Sequence, residues 1–245
     1  MHDIAKMIHR RDFTNPPDVV AFPRDEAEVA AVLDWCGAND YAAVPFGGGS
    51  SVTGGVNHTK DERFKGLVTI DLKHLNKVLE VDKTSQAARI QAGVLGPDME
   101  KQLKPTGLTM RFFLQAWEFS SLGGWIATRA AGHYATNYTQ IDDHVESLRV
   151  VTPSGTIASR RWPTSGAGPT PDRLFLGSEG ALGIITEAWV RLHKKPTYRS
   201  ATTVRFGDYE KAVNATRVIS QAGLFPANAR LLERETLSEE DLRAL

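Results

Sequence analysis

The stretch Pro45-Phe46-Gly47-Gly48-Gly49-Ser50-Ser51-Val52-Thr53-Gly54-Gly55 carries five glycines in the nine residues from Gly47 to Gly55. The other four are small or β-branched. It continues directly from Ala42-Ala43-Val44-Pro45-Phe46, an apolar run that predicts a strand. Without Cβ atoms, the backbone of such a loop can approach an anion closely and turn through positive φ. The hydroxyls of Ser50, Ser51 and Thr53 suit the same purpose. An anion-binding loop therefore fits better than a flexible surface loop. Spacing excludes two common nucleotide loops. A P-loop ends in Gly-Lys-Ser/Thr, whereas Val56 follows Gly55 here. A G-x-G-x-x-G fingerprint begun at Gly47 would need glycine where Val52 stands.

Outward from this loop lie two further glycine clusters. Ser120-Ser121-Leu122-Gly123-Gly124-Trp125 opens a predicted helix of small residues from Leu122 to Ala131, closed by Gly132. Small side chains let a helix N-terminus, with its free amides and dipole, lie close to a negative ligand. Tight helix packing explains the same composition equally well. The third cluster, Gly177-Ser178-Glu179-Gly180-Ala181-Leu182-Gly183, turns into a predicted strand from Ile184 to Leu192. One such loop is weak evidence. Three in one chain point to an extended ligand touched by backbone along its length.

In order and spacing, Pro45 to Val52, Glu118 to Trp125 and Gly177 to Ala188 resemble the FAD-binding domain of the vanillyl-alcohol oxidase/p-cresol methylhydroxylase (PCMH-type) flavoproteins. Within that superfamily the likeness is strongest to alkyldihydroxyacetonephosphate synthase-like FAD-linked oxidases, and it covers about residues 16–235. The resemblance implies an α+β fold. A short segment, 1–15, precedes a FAD-binding domain of two α+β subdomains over 16–196. The start of a truncated cap, or substrate, domain follows over 197–245. By the same likeness, Pro45, Phe46, Gly47, Gly48, Gly49, Ser50, Ser51 and Val52 wrap the pyrophosphate. Gln115, Ala116, Glu118, Phe119, Ser120 and Ser121, with Gly124, Thr128, Ala130 and Ala131, lie along the flavin and its ribityl chain. Glu179, Gly180, Leu182, Gly183, Ile184 and Ile185 close the other side. The family pattern has Pro-Asp-Ser-Leu before Glu-Phe-Ser. This chain has Leu114-Gln115-Ala116-Trp117, so a carboxylate and a hydroxyl are replaced. Several relatives attach the flavin through a histidine of the glycine loop. The matching position is Ser50, which cannot form that bond, so the expected FAD is non-covalent.

The remaining elements follow from local signals. Asp18 to Phe22 predicts a strand. Asp25 caps a helix with Glu28 as its capping-box partner, and Gly37 ends it. Val29, Val32, Leu33 and Cys36 share one face, which makes Cys36 a small core residue. Leu67 to Leu72 predicts a strand, and 78–82 with 87–92 a hairpin. Pro97 to Lys104 predicts a helix. A second hairpin turns at Pro153-Ser154-Gly155, and 163–171 is a loop. After Lys194-Lys195-Pro196, Ala201 to Phe206 predicts a strand, Tyr209 to Ala222 a helix and Asn228 to Leu232 a further strand. Ser238 starts a helix that the chain leaves unfinished, which suggests a fragment of a longer protein.

Function classes are narrowed by composition. Lysine plus arginine is 29 and aspartate plus glutamate is 29 in 245 residues, so no basic excess marks a nucleic-acid binder. No apolar run reaches the roughly 18 residues of a membrane span, and no signal-peptide pattern opens the chain. A cytoplasmic protein with a small-molecule substrate is the expectation. A homodimer could cover apolar surface left by an incomplete cap. One cysteine excludes an internal disulfide. The seven histidines, His133 and His144 among them, show no metal-ligand spacing. Asp142-Asp143 reads as a solvated or capping pair. Gly177-Ser178-Glu179-Gly180 lacks the spacing of a nucleophile elbow. In the synthase, an arginine in an Ala-x-Ile-Arg-Leu element of the cap lies near the flavin. By that likeness, Arg230 in Asn228-Ala229-Arg230-Leu231-Leu232 is the candidate catalytic residue. Two functions stay open: the FAD-binding portion of an oxidoreductase or synthase-like enzyme, and a non-catalytic FAD module completed by a missing segment or partner chain.

Overall fold

The computed structural model describes residues 3–11, 13, 15–57, 61–132, 138–162 and 166–233. Among these the helices are α1 (Asp3–Arg10), α2 (Glu26–Asn39), α3 (Gly96–Leu103), α4 (Leu122–Ala127), α5 (Asp172–Phe175) and α6 (Tyr209–Gln221). The strands are β1 (Val19–Ala21), β2 (Tyr41–Phe46), β3 (Gly66–Asp71), β4 (Val78–Asp82), β5 (Ala87–Gln91), β6 (Leu108–Thr109), β7 (Val145–Thr152), β8 (Gly155–Ala158), β9 (Ile184–Arg191) and β10 (His193–Lys194). They form a three-stranded parallel sheet in the order β1-β3-β2 and a five-stranded antiparallel sheet in the order β4-β5-β9-β7-β8. Strands β10 and β6 form a separate two-stranded antiparallel ladder. Two α+β subdomains, as the resemblance implies, are therefore present.

Each sheet buries the side its sequence marks as apolar. Val29 and Cys36 of α2 lie in the core with Val68 and Ile70 of β3. Ile90, Val150, Ala188 and Val190 of the larger sheet join Met99 and Leu103 of α3 and Leu122, Trp125 and Ile126 of α4. The subdomains are tied by Glu26 at the start of α2. Its carboxylate accepts from Arg149 Nη2 of β7 at 2.7 Å and from Thr186 Oγ1 of β9 at 2.9 Å. The bond from Arg149 holds the Glu26 carboxyl below its ordinary pKa.

Several boundaries differ from the sequence reading. Asp25 does cap α2, accepting from Glu28 N at 2.9 Å, but the Glu28 carboxylate accepts from Arg24 N rather than from the cap itself. The helix runs past Gly37 to Asn39, and Asp40 ends it with a left-handed φ of 60°. Asp40 tolerates that conformation, so glycine is not needed. The helix expected from Leu122 to Ala131 ends at Ala127, because Arg129 turns left-handed at φ 49°. The chain then folds back, with Ala131 bridging Gln140. Residues 201–206 and 228–232 are not strands. Both stretches are exposed, and no described strand pairs with either; a strand needs a partner for its ladder. Helix α6 forms as expected, with Asp208 accepting from Lys211 N at 3.1 Å. The unfinished helix at Ser238 lies outside the described residues. No described helix is long and apolar enough to cross a membrane.

Candidate functional site

The end of β2, the start of β9 and the segment around α4 converge on a cleft of about 480 Å³. This lies within the range of roughly 300–1,000 Å³ typical of small-molecule sites. Glycines make the convergence possible. A Cβ at Gly48 would lie 1.8 Å from the Phe119 carbonyl oxygen, and one at Gly47 would lie 2.0 Å from Ser121 Oγ. Across the cleft, a Cβ at Gly180 would meet Pro45 Cγ at 2.4 Å. At Gly48 backbone thus packs on backbone, and at Gly47 and Gly180 it packs on the side chains of Ser121 and Pro45, where a Cβ would hold the walls apart.

The amides divide sharply. Those of Gly47, Gly48 and Gly49 have no acceptor among the described residues, and Gly49 is buried with φ 64°. Three successive unengaged N–H groups in a turning loop form a cradle for anionic oxygen. The N-terminus of α4 does not add to it. Leu122 N donates to Val94 O, Gly123 N to Ala92 O, Gly124 N to Ser121 Oγ and Trp125 N to Ser121 O. Tight packing accounts for Gly123, where a Cβ would lie 2.7 Å from Ala92 Cβ, whereas Gly124 faces the cleft with the nearest contact of its Cβ at 3.4 Å.

The walls hold few charges. Among the described residues lining the cleft, Arg129 and Glu179 are the charged ones. Glu179, left-handed at φ 50°, accepts from Thr53 Oγ1 at 2.9 Å and so links the first and third glycine clusters. Trp125 Nε1 donates to Ser120 Oγ, which donates to Ala116 O, fixing the wall below. A second cavity of about 540 Å³ shares Pro45, Thr53, Gly55, Glu179 and Gly180 with the cleft.

Most of the residues implied by the resemblance meet here. The whole of Pro45 to Val52 lines the cleft, as do Gln115, Ala116, Ser120, Ser121, Gly124, Thr128, Ala130, Ala131, Glu179, Gly180, Gly183, Ile184 and Ile185. Glu118, Phe119 and Leu182 do not. Their side chains point outward, Phe119 and Leu182 being 48% and 50% exposed, and Phe119 contributes only its backbone behind Gly48. Arg230 is exposed on an irregular stretch away from the cleft. Arg129 falls inside the stretch from Thr128 to Ala131 that the resemblance places along the flavin, although the resemblance does not single it out; Val56, Leu72, Leu114, Gly123, Trp125 and Ala127 are not assigned to the site by sequence. Nothing local marks Arg129 as a turn.

The expectation of a solvated or capping Asp142-Asp143 pair does not hold for Asp142, which is nearly buried between two arginines. Asp142 is no member of an acid–base pair. Its nearly buried carboxylate accepts from Arg129 Nη2 at 2.6 Å and from Arg173 Nη1 at 3.4 Å. His144 and His193 pack edge to face at 5.7 Å outside the cleft, beside Tyr138. Burial lowers the pKa of both. His193 falls to about 4 through burial first, then His144, Arg111 and Arg191. His133 lies outside the described residues. Among the described residues no cluster of three metal-ligating side chains occurs.

Comparison with known proteins agrees with this geometry. The FAD binding domain family matches residues 17–159. Alkyldihydroxyacetonephosphate synthase of Dictyostelium discoideum is 38% identical over 221 residues, 90% of this chain and 36% of the relative. The mitochondrial D-lactate dehydrogenase [cytochrome] 1 of Saccharomyces cerevisiae is 32% identical over 224 residues, 90% of this chain and 37% of the relative. A solved structure of alkyldihydroxyacetonephosphate synthase superposes with a TM-score of 0.70 at 40% identity, over 75% of this chain and 33% of that one. The architecture is thus the PCMH-type FAD-binding fold. The chain spans little more than a third of the length of these relatives.

Proposed function

The chain belongs to the FAD binding domain family, and we propose that its cleft holds FAD non-covalently as the cofactor-binding portion of a flavoenzyme. The observation that carries this is the run of three unengaged amides, Gly47 to Gly49, pressed against Phe119 and Ser121 at the mouth of a mostly uncharged cleft. FAD is long, flat and anionic in its middle. The cradle suits the diphosphate, while Leu72, Leu114, Ile184 and Ile185 offer apolar walls to a ring system. When bound, FAD supplies two-electron redox chemistry that no side chain here can provide. The protein orients it through the glycine loop, excludes water with Trp125 and the two isoleucines, and fixes the opposing loop through Glu179 and Thr53. Ser50 offers no nitrogen for a covalent flavin link.

For the complete enzyme we propose one of two reactions. It oxidises a small organic hydroxy acid or alcohol, or it carries out an alkyl-exchange reaction of the synthase type. We further propose a cytoplasmic setting, and that the segment 197–245 belongs to the start of a cap domain. A second reading, a FAD module that needs more polypeptide for turnover, is favoured by one observation. Tyr198, Val204, Phe206, Val218, Leu224 and Phe225 are all exposed. A further segment or a second copy in a homodimer would cover them. The test is to mix the chain with FAD, remove excess by gel filtration and record the visible spectrum. Retained flavin that acid or heat releases supports non-covalent binding. A folded sample that keeps no flavin at micromolar concentrations argues against the cleft as a FAD site.

A further inference from the structure

We propose that Arg129 is the cation of this cleft, held in place by Asp142 so that its remaining N–H donors meet an anionic group of bound FAD. The inference rests on the FAD reading and deepens it. Arg129 is the positively charged residue among those described along the cleft, and the opposite charge, Glu179, is engaged by Thr53. Its side chain follows a defined course. A Cβ at Gly177 would lie 2.7 Å from Arg129 Cδ and 2.8 Å from Cγ, so the glycine at φ 84° clears the path of the arginine. The guanidinium then reaches Asp142, donating from Nε at 3.3 Å and from Nη2 at 2.6 Å. None of the described residues accepts from Nη1, and the side chain is 56% exposed.

Charge counting favours the same role. One carboxylate, Asp142, serves two guanidiniums, Arg129 and Arg173, so the group keeps a net positive charge. Asp142 is 8% exposed and cannot turn to solvent without leaving this pair. Arg173 already supplies a cation to Asp142, so neutralising that carboxylate does not by itself require Arg129, which lines the cleft. Arg129 also occupies a left-handed φ of 49°, unusual for a long side chain. Such strain at a cleft wall fits a residue placed for its function. Bound FAD offers two anionic partners, the diphosphate and the N1–C2=O edge of the ring after reduction.

The experiment compares the full chain with Arg129→Gln, Arg129→Lys and Asp142→Asn. Every replacement at 129 keeps an L-residue at that φ, so the backbone strain is constant. FAD and riboflavin dissociation constants are read by fluorescence quenching at low and high salt, with thermal midpoints alongside. The midpoint potential of the bound flavin is read with reference dyes. Arg129→Gln is expected to weaken FAD binding by about tenfold or more, the scale of one charge-assisted hydrogen bond. Arg129→Lys should restore part of that loss. Asp142→Asn should weaken binding less than Arg129→Gln, and it serves as a second test if Arg129→Gln does not fold. A loss for FAD with unchanged riboflavin affinity and potential puts Arg129 at the diphosphate. A potential lower by about 30 mV, a tenfold change for a two-electron couple, puts it at the ring. Wild-type affinity and potential in a folded Arg129→Gln protein overturn the inference. Lack of flavin binding by the parent chain overturns the FAD reading itself.

Discussion

Replacing Gly48 with alanine tests whether close backbone approach builds the cleft. The added Cβ would stand 1.8 Å from the Phe119 carbonyl oxygen and 2.7 Å from both Phe119 C and Ser120 Cα. Every one of these atoms is backbone, so no rotamer change relieves the overlap. Gly48 itself has no left-handed φ, and the penalty is steric alone. The loop must withdraw by more than about 1 Å, a displacement large enough to spoil a pre-formed site. Overpacking of this sort costs roughly 1–3 kcal/mol. In the free protein the loop can swing outward, so the thermal midpoint should fall only a few degrees. In the complex the loop must return, and the cost then appears as weaker FAD binding by about tenfold to a hundredfold. Fluorescence titration gives the affinity and circular dichroism the midpoint. Gly54→Ala is the companion variant: its Cβ meets nothing within 4 Å, but φ 91° makes it strained, so it reports conformational strain without a clash. If Gly48→Ala bound FAD with unchanged affinity and midpoint, the packing of the loop against Phe119 would not be what shapes the site.

Two further outcomes are expected. Gly37→Ala should stabilise the protein by roughly 0.5–1 kcal/mol, because Gly37 lies inside α2 with no atom within 4 Å of the new methyl; a urea midpoint that does not rise would contradict the helix boundary. The buried pair His144 and His193 should make stability fall with acid. Both have pKa values lowered in the fold, His193 to about 4, so the unfolded chain binds more protons once pH drops below the ordinary histidine value of about 6.5. Their contribution is complete above that value and is lost between it and about 4. The carboxylate Asp82, held near 2 by its bond from the Ser85 amide and by Arg161, acts only at still lower pH. Thermal midpoints at pH 7.5 and 5.0 should therefore differ, and His193→Phe should narrow the gap. An unchanged gap in that variant would place the acid sensitivity elsewhere.

The parts of this molecule legible in its sequence are those fixed by local rules. The alternation and turn chemistry of 78–91 gave the β4–β5 hairpin, since Asp82 closes the turn by accepting from the Thr84 and Ser85 amides. Asp25 announced the start of α2 for the same reason. The stretch 201–206 failed because a pattern of apolar residues describes one face of a strand but says nothing of its partner. Gly37 misled because it shares the helix end with Asp40, and the residue that adopts left-handed φ ends the helix.

The cleft shows the same division between local and distant causes. A glycine cluster is visible in sequence because no other residue tolerates what the fold demands there. What it demands is set elsewhere: at Gly47 and Gly48 the atoms to avoid belong to residues 119–121, more than seventy positions along the chain. Spacing could therefore mark the loop without saying that its amides stay unengaged while those of α4 are consumed by Ala92 and Val94. Both segments are rich in glycine and both line the cleft, yet only the first leaves amides, those of Gly47 to Gly49, unengaged among the described residues. Arg129 is the reverse case. Nothing in Ala127-Thr128-Arg129-Ala130 signals a left-handed residue, and helix propensity argues against one. Its conformation follows from Asp142 on one side and the missing side chain of Gly177 on the other. Gly177 was legible as a turn residue, and its partner became visible only when the fold brought the arginine across it. Among the described residues, the positive charge lining the cleft is Arg129, whereas Arg230 lies on an exposed irregular stretch outside that lining, which makes the cleft arginine the sharper target for mutation.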